Sequence, residues 1–380
     1  MPTMTTDAAI RIPQPALREA LAAVKPAVPT RAIKPIYSNV VLRDGVLSAG
    51  GGDLWIDYTL RLEEPQRGGE PLVLPFARLQ AIVSSVPADA VVTFTPAGPA
   101  VKIKAARGAW TLPTEDPAEF AVPADVKRHL RPAGGMPPDQ FRRAVAATAF
   151  AADQASGRAA MGGVLLDQKD GRLHFVATDG RRMTVSVIEI GEAVDDSATI
   201  VPVPALDAAA DMPGDAAIGI EVSSSWVVFS GDGWTVSTPV VSGTFPRWRP
   251  VVPKSLPAST ATAVRGELLA GFKAAAICED EVSRGVVMSL SGGVLTLTAK
   301  SSAAGSSRVT VPLAEPRPEP IKVKLDPRYV TEWLRGLPGE DACPTVEIQA
   351  TSPDSAVVFR CDDATNVVMP LQKGDADDEA

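Results

Sequence analysis

A helix, a run of strands, a strand ending in proline that opens a second helix, and a further run of strands occur in that order three times along this chain. This recurrence limits the folds open to it. Three stretches set the register: Asn39-Val40-Val41-Leu42, Gly163-Val164-Leu165-Leu166 and Gly285-Val286-Val287-Met288. The strand-proline-helix units at 72–87, 200–213 and 323–338 fix the same register independently. The repeated unit is a whole α+β domain, longer than the 20–50 residue units of solenoids. Three domains are expected, at 1–130, 131–257 and 258–380. Linkers are expected at 128–137 and 253–261, where Pro, Gly, Ser and Thr gather.

Local patterns fill in the elements. Over 15–25, Leu17, Leu21 and Val24 share one helical face, and Pro15 suits the first turn. The spacing predicts further helices over 76–86, 138–151, 205–212, 267–277 and 327–337. In the third of the six, Phe141, Val145 and Thr148 point inward and Arg142, Arg143 and Ala146 outward. Over 162–190 the period is two. Leu173, Phe175 and Ala177 alternate, then Met183, Val185 and Val187, which predicts strands with one buried face. Asp179-Gly180 between them is a hairpin signal. Each copy thus holds two helices packed on antiparallel sheets. Similar domains joined head to tail tend to continue one rotation, and a rotation that closes makes a ring. One chain then supplies half a ring and dimerises.

Charge and cysteine content narrow the function. The formal net charge of −8 argues, taken alone, against nucleic acid as a partner. A local basic face still acts separately, because charges beyond about 8 Å are screened at physiological salt. Cys278, Cys343 and Cys361 are scattered and odd in number, so no disulfide framework is expected. With His129 and His174 they offer no zinc spacing. No apolar run reaches the ~20 residues of a membrane span, and the opening segment lacks a signal pattern. A reduced, cytoplasmic protein is expected. The tail 372–380 is acidic and expected to be disordered. Asp179 reads as a turn residue, Asp53 and Asp57 lack His or Cys nearby, and no phosphate-binding glycine loop occurs. ATP hydrolysis is not expected.

At Val176-Ala177-Thr178-Asp179-Gly180-Arg181-Arg182-Met183, Thr199-Ile200-Val201-Pro202, Gly243-Thr244-Phe245-Pro246, Val252-Pro253-Lys254 and Val367-Val368-Met369-Pro370-Leu371, the chain resembles the bacterial replicative sliding clamps, the β subunits of DNA polymerase III. The resemblance covers nearly the whole chain. It implies a homodimeric ring in which twelve helices surround duplex DNA, without sequence preference, and it implies no catalysis and no cofactor. The implied DNA-facing residues are Arg18, Lys25, Arg31, Arg78, Arg142, Arg143, Gln154, Lys273, Arg328 and Arg335. It also implies a groove for partner peptides at Met161, Thr178, Gly180, Arg181, Arg182, Met183, Pro246, Pro250, Val251, Tyr329, Val367, Met369, Pro370 and Leu371. The partners implied are the polymerase α subunit, the clamp loader and other proteins with a clamp-binding motif. Trp110, Leu112, Ile277 and Cys278 stand at the implied dimer contact. The chain departs from the family pattern at several points. The helix over 205–212 has no Lys or Arg and carries Asp207 and Asp211. Ala159 and Ala160 replace paired tyrosines, and Arg181 and Pro250 stand where His and Arg are common. A scaffold that keeps the peptide groove and little DNA function is the other reading.

Overall fold

The computed structural model describes residues 9–62, 70–120, 131–155, 158–190, 196–253, 256–280, 284–314, 319–339 and 341–371. The tail 372–380, His129, Lys254 and the first part of the expected linker at 128–137 lie outside them.

The first copy of the pattern runs β1 (Ile10–Pro13), α1 (Gln14–Val24), β2 (Asn39–Arg43), β3 (Val46–Gly50), β4 (Trp55–Thr59), β5 (Leu72–Pro75), α2 (Phe76–Ser85), β6 (Val91–Pro96), β7 (Ala100–Ala105) and β8 (Gly108–Pro113). The second runs β9 (Arg131–Met136), α3 (Pro138–Thr148), β10 (Gly163–Lys169), β11 (Arg172–Thr178), β12 (Arg182–Glu189), β13 (Ser197–Pro202), α4 (Val203–Ala210), β14 (Ile218–Val222), β15 (Trp226–Gly231) and β16 (Trp234–Pro239). The third runs β17 (Ser259–Val264), α5 (Arg265–Ala275), β18 (Val286–Ser291), β19 (Val294–Ser301), β20 (Gly305–Pro312), β21 (Ile321–Leu325), α6 (Pro327–Gly336), β22 (Thr345–Ala350), β23 (Val357–Cys361) and β24 (Ala364–Val368). The order is the same in all three.

The repeat extends to single atoms. The hairpins β2–β3, β10–β11 and β18–β19 turn on Asp44-Gly45, Asp170-Gly171 and Gly292-Gly293, and all six residues have positive φ. Two adjacent residues in that region are what a tight right-twisted hairpin requires. Gln14, the first residue of α1, donates its amide to Val83 O in α2 at 2.9 Å. Arg265, the first residue of α5, donates to Leu334 O in α6 at 2.8 Å. Val83 and Leu334 are both the eighth residue of their helix, so the same orphan carbonyl is satisfied twice. Pro138 holds this place in α3 and has no side-chain donor.

The chain forms two compact units, one of Met1–Pro138 with Pro204–Val240, the other of Asp139–Val203 with Val241–Ala380. Each holds an eight-stranded and a four-stranded sheet, and every described strand pair is antiparallel. In the first unit the large sheet runs β5-β2-β3-β4-β16-β15-β14-β9 and the small one β1-β6-β7-β8. In the second the large sheet runs β13-β10-β11-β12-β24-β23-β22-β17 and the small one β20-β19-β18-β21. Each large sheet therefore joins two copies of the pattern, through β4–β16 and through β12–β24.

Several expectations need correction. Segments expected as linkers contain β9 and β17, and β1 was not expected either. All three lie at a sheet edge. An edge strand tolerates Pro132 and the register shift beside it, and so carries turn-like residues. The expected single buried face of the central strands is also wrong: β11 and β12 are covered on both sides. Phe175 packs on Phe141 of α3, with ring centroids 5.9 Å apart. Val176, Met183 and Val185 pack instead with Phe245 and Trp248 from the segment after β16. The helices expected over 138–151 and 267–277 end as α-helices at Thr148 and Ala275 and tighten into single 3₁₀ turns. Cys343 and Cys361 form a disulfide with Cα atoms 6.2 Å apart, which overturns the expectation drawn from scattered cysteines. The paired strands β22 and β23 bring the segment just before β22 close to the end of β23, a proximity that spacing along the chain does not reveal.

Close helix packing rests on one glycine. A Cβ at Gly336 would meet Ala146 O of α3 at 2.2 Å, and a backbone atom cannot swing aside. Gly336→Ala should cost about 1–3 kcal/mol in chemical denaturation. Gly339→Ala, in open space, should stay within about 0.5 kcal/mol.

Candidate functional site

The residues expected to bind peptide gather in the second unit, around the β12–β24 pair. Met183 pairs with Val367 and Arg182 with Val368. Met183 and Val367 are buried in a cluster with Leu165, Val176, Val185, Ile200, Phe245, Trp248 and Val358. Beyond β24, Met369 N–H donates to Arg181 O at 2.9 Å, and Leu371 N–H donates to Lys324 O at 2.8 Å. Pro370 and Leu371 are half-buried. Met369 is 44% exposed and Val251 43%, and Pro246 and Pro250 are exposed. Apolar side chains are thus presented at the surface above an apolar floor.

Polar bonds shape one side of this floor. Asp179 Oδ1 accepts from the N–H groups of Arg181 and Arg182, both at 2.9 Å. Thr178 Oγ1 donates to Arg182 O at 2.6 Å and accepts from Gly180 N–H. Gly180 has φ +85, where a side chain would be strained, and Met161 Cε lies 3.6 Å from where its Cβ would sit. Met161 is buried, and the Arg158 guanidinium donates to its sulfur.

Arg182 is the centre of the arrangement. Its side chain is 9% exposed. The guanidinium donates to Asp179 Oδ2 at 3.1 Å, to Glu332 Oε2, and to Phe150 O at 3.1 Å. It also lies over the rings of Phe150 and Tyr329, at 5.0 and 4.7 Å. Burial raises the Tyr329 phenol, and Asp179 and Asp326 add to that, so the ring is neutral at ordinary pH. A cation satisfied on so many sides is a fixed wall, and its desolvation cost is met by its partners.

The expected DNA-facing residues lie on helices and loops of both units. Arg18, Lys25, Arg31 and Arg78 are exposed in the first. Helix α1, which carries Arg18, is tied to the sheet: Tyr58 on β4, 2% exposed, donates to Glu19 Oε1 on α1 at 2.6 Å. In the second unit Gln154, Lys273 and Arg335 are exposed, and Arg142 and Arg143 half-exposed. Arg143 pairs with Asp139 one turn earlier. Arg328 is held by both oxygens of Asp326, which also caps α6 and keeps the guanidinium protonated. On α4, burial and then Asp211 raise the carboxyl of Asp207. Among the expected dimer contacts, Leu112 is buried within its own chain and Trp110 lies over Gly108 of its own strand. Ile277 is 77% exposed, and Cys278 beside it is half-buried.

Sequence reasoning missed a second polar group close by. Asp167 Oδ2 accepts from Trp248 Nε1 at 2.7 Å and from the Arg249 guanidinium at 2.6 Å. Its carbonyl oxygen lies 3.1 Å from His174 Nδ1. Burial lowers the His174 imidazole, which favours its neutral form. The available signal was a charged residue inside the apolar strand β10.

The structure superposes on the DNA polymerase III subunit beta of Pseudomonas aeruginosa with a TM-score of 0.86, over 96% of this chain and 100% of that one, at 23% identity. The molecule is thus of the sliding-clamp class in its fold. The "Beta sliding clamp" of Pseudomonas aeruginosa is 27% identical over 376 residues, covering 95% of this chain and 99% of that protein. That of Escherichia coli (strain K12) is 26% identical over 347 residues, covering 89% and 92%. The family model described as DNA polymerase III beta subunit, central domain, matches residues 135–247. The chain is thus similar to the DNA polymerase III β subunits, in its central segment by the family model and over most of its length by these relatives.

Two measurements test this geometry. Arg182→Ala should lose about 2–3 kcal/mol in denaturation, below the ~3–5 of a fully buried pair because Glu332 is half-exposed. Arg182→Lys keeps the charge but not the fork, and should lose at least half as much. Burial, with Glu19 beside it, pushes the Tyr58 phenol up to about 12 from 10.0. The neutral phenol is the form the fold favours, so its contribution is whole below pH 10 and is lost as pH rises through about 12. In an alkaline absorbance titration, one of the three tyrosines should ionise near pH 12, and Tyr58→Phe should remove that step.

Proposed function

We propose that this chain is a non-catalytic sliding clamp of DNA polymerase III, and that two copies close head to tail into a ring around duplex DNA. The observation that carries this is the pair of open strand edges. Within the chain, β4 pairs with β16 and β12 with β24, so the last strand of each first-half sheet meets the last strand of the following copy. By the same rule β20 calls for a partner in the position of β8, and both are sheet edges in this chain. A β20–β8 joint between chains is heterologous, and two such joints close a dimer. The repeating units are then three domains at 1–130, 131–257 and 258–380, and a closed dimer has twelve helices.

On this reading the helix cations meet phosphates without reading bases, which gives weak, salt-sensitive contact. The groove around Met183, Val367 and Arg182 holds one partner peptide at a time, from the polymerase α subunit, the clamp loader or another protein with the motif. Exposed Met369 suits a surface that many partners share. The setting is the cytoplasm, at the nucleoid. The names of the Escherichia coli and Pseudomonas aeruginosa relatives support the reading.

Loading onto circular duplex DNA is the test. The protein should stay bound to the circle through gel filtration and leave within minutes once the circle is cut. Equal loss from cut and uncut DNA rejects the ring. If Arg142→Glu with Arg143→Glu leaves processivity unchanged, a peptide scaffold with little DNA function replaces it.

A further inference from the structure

Beside the groove lies a pocket of about 470 Å³ that nothing above has used. Leu165 and Ala198 line it from β10 and β13, with Ile200 farther along β13, and the segment 243–250 forms the opposite wall. The two walls differ in chemistry. Leu165, Ile200, Phe245 and Trp248 belong to the apolar cluster that also contains Met183 and Val367. Asp167 and Arg249 form an ion pair at the rim, with Arg249 lying over the Trp248 ring at 4.6 Å.

This pocket is continuous with the groove. Pro246 and Pro250 line it, and both are groove residues. Phe245 and Trp248 point into the shared cluster from the same segment. Its volume is more than one leucine side chain fills, so it has room for a large apolar group and its neighbour. Asp167, whose side chain is 12% exposed, fixes the Arg249 guanidinium by one contact, and a guanidinium has five donors. A half-exposed arginine held in place at the mouth of an apolar pocket suits a carboxylate next to an apolar side chain.

We propose that this pocket is a second subsite of the peptide groove. It takes a large apolar residue followed by an acidic one, from the part of a partner peptide that flanks the segment held at Met183 and Val367. The proposal rests on the groove being a peptide site. It gives a role to the anchoring of the segment 243–250, where Trp248 is bonded to Asp167 and meets the His174 ring at a tilt, with centroids 5.2 Å apart. It also makes Pro246 and Pro250 the divide between two subsites.

The probes are a short fluorescein-labelled peptide with Leu and Phe side chains as apolar anchors, to match the apolar floor, and two longer ones that add Gly-Phe-Asp at either end. Fluorescence anisotropy with the full chain should show one longer peptide binding about 5- to 10-fold tighter than the short one. Ala198→Trp, at an exposed strand position that lines the pocket, should remove that gain and leave the short peptide unchanged. Replacing the added Asp by Asn should remove part of the gain and most of its salt dependence. No gain from either extension, or a gain that survives Ala198→Trp with an unchanged melting temperature, overturns the subsite while the groove stands. Failure of all three peptides to bind overturns the groove reading and the subsite together.

Discussion

Two strand pairings, β4 with β16 and β12 with β24, hold successive copies of the pattern together. Backbone hydrogen bonds make each seam a continuation of a sheet, not a docking of finished surfaces. A strand edge is otherwise a liability, since its unpaired N–H and C=O groups template further pairing. Each of these joints removes two such edges within its unit, and on the proposed reading β8 and β20, edges of the two small sheets, are the pair left for a second chain. The division into compact units follows from the same pairing. Each eight-stranded sheet takes half of the second copy, so the second copy is shared between the two units.

On the proposed reading, the peptide site grows out of one of these seams. At β12–β24 the strands are covered by α3 on one face, and a loop segment bearing Phe245 and Trp248 covers part of the other. What remains uncovered near the strand ends is apolar, with Met369 and Val251 at the surface. A bare apolar recess tends to collapse or to recruit its own neighbours. Arg182 opposes this because its guanidinium lies over the rings of Phe150 and Tyr329 while three acceptors fix it. The recess keeps its shape when empty, and a bound peptide then loses less free energy in ordering its host.

Much of the fold was legible in the sequence because its main signals are local. Helix faces such as Leu17, Leu21 and Val24 and turns such as Asp44-Gly45 are set by residues a few positions apart. The edge strands β1, β9 and β17 were not legible: Pro and Gly are tolerated where one side of a strand has no ladder to keep. Burial of β11 on both faces was hidden too. Val176 and Phe175 read as one apolar stretch, and the residue that covers Val176 lies about seventy positions later. The groove residues came from resemblance; the structure pairs Met183 with Val367 and sets Arg182 beside them on β12. The Asp167–Arg249 pair was invisible because neither residue has a partner at short range in sequence.

The charge balance fits an enclosing protein better than a gripping one. A protein that grips DNA needs many phosphate contacts, and each one releases counterions and deepens the well at a fixed position. On the proposed reading retention comes from the closed path of the chain, so deep wells are a hindrance to sliding. Here the cations are few and partly neutralised, as with Arg143 beside Asp139 and Arg328 held by Asp326. Helix α4 has none, and it adds Asp207, whose proton is held more tightly than usual. A net charge of −8 gives no general attraction to DNA, so attraction is local to helices that carry Lys and Arg. Low affinity and long residence are compatible only if the link is topological. For that reason the strength of the β8–β20 joint matters more to this function than any single basic side chain.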